Sequence, residues 1–305
     1  MTAMLIGVLA GAIVSTASIL YATLGEVIGE RAGIVNLGVE GQMLVGASIG
    51  FVIAAITKNA LFGVAVAAVA GAAFNMVFGY LVVTRRTNQL ASGIAMWFLG
   101  LGLSTLIGSQ FVGRHILGLE AIELPGLSAL PPVYAQLFSQ DILVYLMVPV
   151  AILIWWLLFH TRWGLHLRAV GEDATTAIAA GLRPSVLQYQ ALMLAGALGD
   201  VGGAQLSLAY TKTWQEGMTA GRGFLAVVIV IFALWHPLRA ILGAFLFGAA
   251  VALGLALQAG GAPTSPFLLD MLPYLVTLTV ALLGARARAF TVPMGLRAVF
   301  EGTAG

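Results

Sequence analysis

Long apolar runs, separated by short polar interruptions, make up almost the whole chain. A spanning helix needs about 20 predominantly apolar residues. Runs near that length predict spans at 4–24, 43–57, 60–83, 90–112, 142–159, 186–209, 224–235, 238–258 and 267–284. The pattern predicts an all-α, polytopic helical membrane protein of about nine spans, built as a single transmembrane domain over residues 1–305. Two of the runs are short, 43–57 and 224–235. Twelve residues at about 1.5 Å each cover roughly 18 Å, less than a hydrocarbon core of about 30 Å.

Each short run follows a polar, glycine-punctuated stretch. The first runs from Gly25-Glu26 through Gly29-Glu30-Arg31-Ala32-Gly33-Ile34-Val35-Asn36-Leu37-Gly38-Val39-Glu40-Gly41. The second is Lys212-Thr213-Trp214-Gln215-Glu216-Gly217-Met218-Thr219-Ala220-Gly221-Arg222-Gly223-Phe224. Lipid penalises such groups unless they face protein, water or an aqueous path. Matched glycine-interrupted, short segments in two halves of a membrane protein point to broken helices around a pathway and to an internal repeat. Glycine alone also serves close helix packing, but packing does not account for the charges of Glu40 and Arg222.

Composition sharpens this reading. The chain is 60% hydrophobic and only 9% charged, with a mean hydropathy of +1.02, whereas a soluble domain carries about 25% charged residues. A net charge of +2 with lysine only at 58 and 212 gives no basis for nucleic-acid binding. The absence of cysteine excludes disulfides and thiolate chemistry. His115, His160, His166 and His236 form no HExxH pair, so no metal site is expected. No P-loop motif occurs. The first apolar run lacks a basic leader and is expected to remain as a span.

An odd span count places the termini on opposite sides. With the N-terminus outside, Arg31, Arg85, Arg86, Arg162, Arg168, Arg183, Arg239, Arg286, Arg288 and Arg297 fall inside, and Lys58, Arg114, Lys212 and Arg222 outside. Ten basic residues against four favour N-out, C-in. Two connections are long. Residues 113–141 carry Leu-Pro-Gly and Leu-Pro-Pro turns and form an extracytoplasmic segment; residues 160–185 lie in the cytoplasm. In the latter, Glu172 and Asp173 precede an alanine-rich run as at a helix start, and Gly181 with Pro184 reads as a stop. A short helix clear of the bilayer is expected there, either solvated or docked on a partner.

Other polar residues fall within spans. Asn75 is expected to make an interhelical hydrogen bond. For Asp200, near the middle of its span, a structural role and a pathway role stand level, since an ionised carboxylate there must be paired, protonated or turned inward. Trp155, Trp156, Trp163 and Trp235 fall near span ends, where an interfacial belt accounts for them.

Glu30-Arg31-Ala32-Gly33-Ile34-Val35-Asn36-Leu37-Gly38-Val39-Glu40-Gly41 resembles the signature of permease subunits of ABC importers for nucleosides and simple sugars, within the wider ribose and branched-chain amino acid permease group. Arg168-Ala169-Val170-Gly171-Glu172-Asp173, followed by Ala180-Gly181-Leu182, is similar to that family's cytoplasmic coupling segment. Asn88-Gln89 before Ser92-Gly93, Thr219-Ala220-Gly221-Arg222-Gly223-Phe224, the run from Val230 to Leu238 and that from Leu242 to Gly248 also fit, in the family's order. Departures are Trp97 where the family commonly has asparagine, Asp200 where it has small residues, and Arg239 where glycine is common.

The resemblance implies half of a translocation pathway, in this chain Asn36, Glu40, Gly41, Asn75, Trp97, Asp200, Gly221, Arg222, Gly223 and Phe224. It implies ATPase coupling through Arg168, Gly171, Glu172, Asp173, Ala177, Ala180, Gly181 and Leu182. The partners it implies are a second homologous permease, a cytoplasmic ATP-binding subunit that holds ATP and Mg, an extracytoplasmic substrate-binding lipoprotein, a small-molecule substrate and membrane lipid. No cofactor is expected in this chain, and the location implied is the cell membrane. A secondary transporter would also use broken helices, but would not need the protruding 172–182 segment. An intramembrane enzyme would need a reactive constellation; Glu26, Glu30 and Glu40 are the one cluster, with no histidine close in sequence.

Overall fold

The computed structural model describes residues 2–123, 132–261, 265–284 and 293–296. Arg286, Arg288 and Arg297 of the charge count, and residues 124–131 of the long outer connection, lie outside the described residues. The elements are α1 (Thr2–Arg31), α2 (Val39–Thr57), α3 (Ala60–Gly79), α4 (Gln89–Gly108), α5 (Pro132–Ala135), α6 (Ile142–His160), α7 (Arg162–Glu172), α8 (Ala174–Ala179), α9 (Pro184–Gln205), α10 (Arg222–Phe232), α11 (Pro237–Ala259), α12 (Pro266–Asp270) and α13 (Leu272–Gly284). A two-residue ribbon, β1 (Ile122–Glu123) against β2 (Ser139–Gln140), closes the 113–141 connection. α3 and α9 each run on into a five-residue π-helical turn, Tyr80–Thr84 and Leu206–Tyr210.

Seven helices among the described residues are long and apolar enough to cross a membrane; Arg222–Phe232 and Phe267–Val276 are shorter apolar helices. The first predicted span differs. α1 does not end at residue 24 but continues to Arg31, through half of the first polar stretch. Glu26 and Glu30 are one helical turn apart and both buried; Glu26 accepts from the Asn36 amide and one Glu30 oxygen from Trp235 Nε1, while Glu30 Oε1 has no partner among the described residues. The interruption shrinks to residues 32–38, and α2 begins at Val39 with 19 residues, enough to span. The expectation of two short segments therefore holds for α10 alone.

α2 and α9 lie at the centre, with 72% of the most apolar window of each span buried, against 28% for the span that contains α4. Close approach is bought with small residues: a β-carbon at Gly46 would sit 2.3 Å from the Asp200 carbonyl oxygen, and one at Gly196 would sit 2.3 Å from that of Gly71. α4 turns Ile94, Phe98, Leu99 and Leu106 outward, an apolar face suited to lipid or to another apolar protein surface. Trp156 is exposed as an interfacial residue would be, but Trp235 is fully buried in the core and is not a belt residue.

The connections sort to two ends. The Ile116 and Leu119 amides donate to the Lys212 and Leu208 carbonyls, and His115 bridges Thr213, so the 113–141 connection lies on the second polar stretch. Lys58, Ala60 and Leu117 line one cavity at that end. At the other end of the same helices, Gly171 of α7 meets Arg31 and Gly33.

Candidate functional site

The two polar stretches meet. Glu40, in the first turn of α2, is buried and accepts three hydrogen bonds: from Thr219 Oγ1 at 2.6 Å, the Gly221 amide at 2.8 Å and the Gly223 amide at 2.7 Å. The amides are at the start of α10, where unpaired N–H groups and the helix dipole favour a negative charge. The anion comes from the chain's own first half. Gly221 caps α10 with φ +82°, a conformation that favours glycine. Gly223 cannot carry a side chain, because a β-carbon would lie 2.5 Å from Glu40 Cα.

Gly41 lies against the backbone of Trp97 on α4, where a β-carbon would be 2.6 Å away. The Trp97 ring meets Phe224 of α10 edge-on at 5.0 Å and stacks on Phe98 at 4.8 Å. Glu40, Gly41, Trp97, Gly221, Gly223 and Phe224 thus form one cluster joining α2, α4 and α10. Arg222 faces elsewhere. Its Nη1 donates to the Met218 and Thr219 carbonyls, each at 3.4 Å, and its guanidinium lies 5.7 Å from the Tyr210 ring centre. It helps line a cavity of about 500 Å³ with Tyr210, Gln215, Leu255, Pro273 and Tyr274.

Asn36 and Asn75 form a second network. Asn36 Oδ1 accepts from the Gly38 amide at 2.8 Å, and Asn36 Nδ2 donates to Asn75 Oδ1 at 3.1 Å. Asn75 Nδ2 donates to the Leu192 carbonyl at 2.8 Å, the interhelical bond expected of it. Gln42 completes the network: its Oε1 accepts from Asn36 at 3.4 Å and its Nε2 donates to the Gly196 carbonyl at 2.8 Å. Sequence reasoning passed over Gln42; the available signal was an amide in the first turn of an otherwise apolar helix. Asp200 stands apart, fully buried, with its carboxylate against Gly71 and neither oxygen hydrogen-bonded among the described residues.

At the opposite end, Thr161 caps α7 by accepting from the Gly164 amide at 3.1 Å. Asp173 caps α8, accepting from the Thr175 amide at 2.8 Å and Thr176 Oγ1 at 2.5 Å. The Thr176 and Thr175 bonds hold its carboxyl below the usual carboxylate range. Gly181, at φ +82°, ends α8, and the Leu182 amide closes back on the Ala177 carbonyl at 3.0 Å. Of this segment Gly171 and Ala177 are buried, while Glu172, Asp173, Ala180 and Gly181 are exposed. The helix expected after the acidic pair is α8, started by Asp173 and stopped at Gly181; a further helix, α7, precedes it, with Asp173 as the hinge between the two. Arg168 lies 4.9 Å from the Phe159 ring centre, and Glu172 accepts the Met294 amide at 3.0 Å.

The profile of the branched-chain amino acid transport system permease component family matches residues 3–281. The chain belongs to this family. The permease is 40% identical over 259 residues to a putative glucose ABC transporter permease (TsgC13) of Haloferax volcanii, covering 83% of this chain and 78% of that protein. It is 31% identical over 290 residues to a nucleoside ABC transporter permease (NupC) of Lactococcus lactis, covering 90% of each. A guanosine ABC transporter permease (NupQ) of Bacillus subtilis is 29% identical over 261 residues, covering 80% of each. The permease is therefore an integral membrane transport subunit of an ABC importer and not an enzyme.

Proposed function

We propose that this permease forms half of an ATP-driven translocation pathway for a nucleoside or simple sugar. It pairs with a second, homologous permease, receives substrate from an extracytoplasmic binding lipoprotein, and is driven by a cytoplasmic ATP-binding subunit that carries ATP and Mg. Nine membrane segments result when α10 and the apolar stretch from Phe267 are counted with the seven longer spans. The orientation is N-out, C-in, with 113–141 outside and 160–185 inside.

The observation that carries this reading is the joined cluster of Glu40, Gly41, Trp97, Gly221, Gly223 and Phe224. A short helix whose start is held by a carboxylate from the other half ties the two halves together inside the membrane, as a shared pathway element would. Arg222, which lines the cavity beside α10, belongs to the pathway wall, and Asn36, Asn75 and Asp200, buried between the helices, support it from behind. Arg168, Glu172, Asp173, Ala180, Gly181 and Leu182 form the surface that docks on the ATPase, and the buried Gly171 and Ala177 pack it from beneath; its exposure and double capping suit a rigid contact. The nucleoside and glucose relatives support the substrate class.

The test is uptake by the reconstituted complex, with radiolabelled guanosine and glucose as probes. ATP-dependent uptake of either one, abolished when the ATPase is omitted, is expected. Uptake that persists without the ATPase, driven by an ion gradient, overturns the reading.

A further inference from the structure

α10 is gripped at both ends, and the second grip has no place in the pathway described above. Its start rests on Glu40. Its end, after Phe232, turns through Leu234 and Trp235, both left-handed at φ 53° and 54°. An L-residue with a β-carbon disfavours that conformation, and two in succession persist only when their surroundings hold them. The holding groups come from the last turn of α1. Trp235 Nε1 donates to Glu30 Oε2 at 2.5 Å, in a site where both residues are fully buried. Arg31 Nε donates to the Trp235 carbonyl at 3.0 Å, and its Nη2 to the Leu234 carbonyl at 3.5 Å.

The same turn of α1 is where α7 bears. A β-carbon at Gly171 would come within 2.2 Å of the Arg31 carbonyl oxygen, so the two backbones are in direct contact. Phe159, at the end of α6, lies between Arg31 at 5.5 Å and Arg168 of α7 at 4.9 Å. It also stacks on His236, the residue after the left-handed pair, at 5.2 Å. Displacement of α7 therefore reaches Arg31 and Glu30 through packed groups. From there it reaches the turn at 234–235, and through three turns of rigid helix it reaches Gly223 and Glu40. Coupling between distant sites needs an element with two discrete arrangements. A left-handed pair of L-residues suits that role: right-handed values at Leu234 and Trp235 would relieve the strain and re-aim the joint between α10 and α11.

The geometry points to Glu30, Arg31 and Trp235 as a positioning joint that transmits movement of the α7–α8 segment to α10 and so sets the pathway cluster. This rests on the ABC permease reading above. The joint is tested in proteoliposomes holding the full transporter, by the guanosine or glucose carried per ATP hydrolysed. Trp235→Phe keeps the ring and loses the donor; Glu30→Leu loses the acceptor; Glu30→Gln keeps an acceptor. The first two are expected to lower the ratio by about threefold or more, and Glu30→Gln to restore it to near that of the unaltered protein. A merely structural Trp235 would change assembly but not the ratio, and an unchanged ratio in both disruptive variants overturns the joint.

Leu234→Gly guards against variants that fail to assemble, since glycine relieves the left-handed strain and leaves every hydrogen bond in place. It is expected to bias the turn to its present arrangement and slow uptake per ATP; behaviour identical to the unaltered protein counts against the joint. A further readout needs no substrate. The chain has no cysteine, so spin labels at Leu165→Cys and Gln215→Cys report the distance from α7 to the stretch before α10. That distance is expected to change on vanadate trapping and to stay fixed when Trp235→Phe is added. A change that survives Trp235→Phe overturns the joint even if no probe is transported. Loss of ATP-driven uptake in the unaltered complex, with the distance change intact, counts against the functional reading instead.

Discussion

Single side chains in this permease are decided by what can satisfy them away from water. Glu40 satisfies two amides and a hydroxyl at once. Glu40→Leu leaves those donors unpaired at a cost of about 1–3 kcal/mol for each that stays buried. The expected outcome is a lower melting temperature of the purified protein and loss of uptake, with Glu40→Gln intermediate. Asp200 is the reverse case, a buried carboxylate without a hydrogen-bond partner among the described residues. Gly71→Ala places a β-carbon 2.3 Å from the Gly196 carbonyl oxygen, 2.4 Å from Asp200 Cγ and 2.5 Å from Asp200 Cβ, and overpacking of this kind costs about 1–3 kcal/mol. Asp200→Ala removes the carboxylate but keeps the β-carbon and the α9 backbone, so Gly71→Ala is expected to remain destabilising in an Asp200→Ala background. Thermal unfolding of the single and double variants measures this; full rescue in the double variant would mean that the carboxylate alone, and not the backbone approach of α3 and α9, excludes a side chain at 71.

Among the elements, the α7–α8 segment has the clearest separable behaviour. Glu172 is exposed and charged next to the hinge, and Glu172→Lys is expected to reduce ATPase coupling while leaving membrane insertion intact. Normal ATP-driven uptake in that variant would remove Glu172 from the docking surface. The cap on α8 gives a pH dependence whose sign is fixed. Hydrogen bonds from Thr176 and Thr175 depress the Asp173 carboxyl in the folded protein. Its contribution is therefore present above the ordinary aspartate range and is lost as pH falls through the depressed value. Protection of the Thr175, Thr176 and Ala177 amides, taken as exchange relative to the intrinsic rate at each pH, is expected to be present at neutral pH and to be lost in acid; Asp173→Ala should show low protection at every pH. Equal exchange in both proteins would mean the cap does not hold α8.

For the whole molecule, orientation is the property on which the partners depend. Leu117 and Ile178 are strongly exposed at opposite ends. In a chain without cysteine, Leu117→Cys is expected to react with a membrane-impermeant maleimide added to intact cells, and Ile178→Cys only after permeabilisation. The opposite pattern would place the docking segment outside and sever it from any cytoplasmic ATPase.

Apolar run length and charge bias were enough to read the membrane class, the approximate helix positions and the protruding segment, because hydrocarbon thickness and backbone hydrogen bonding constrain any chain in lipid. The local order of residues also marked Asp173 and Gly181 as boundaries, since capping and left-handed backbone are local chemistry. What the chain alone could not decide was which polar groups find each other. Glu26 and Glu30 read as a loop but lie in helix α1, because Asn36 and Trp235 reach them from elsewhere. Trp235 read as an interfacial residue and is instead a core donor. Glu40 and Arg222 drew notice as charges, yet they make no direct ion pair among the described residues: Glu40 holds the start of α10, and Arg222 lines the cavity beside it. Partners 179 to 205 residues apart in sequence are set by how the helices pack, and packing is a property of the assembled surfaces, not of any one stretch.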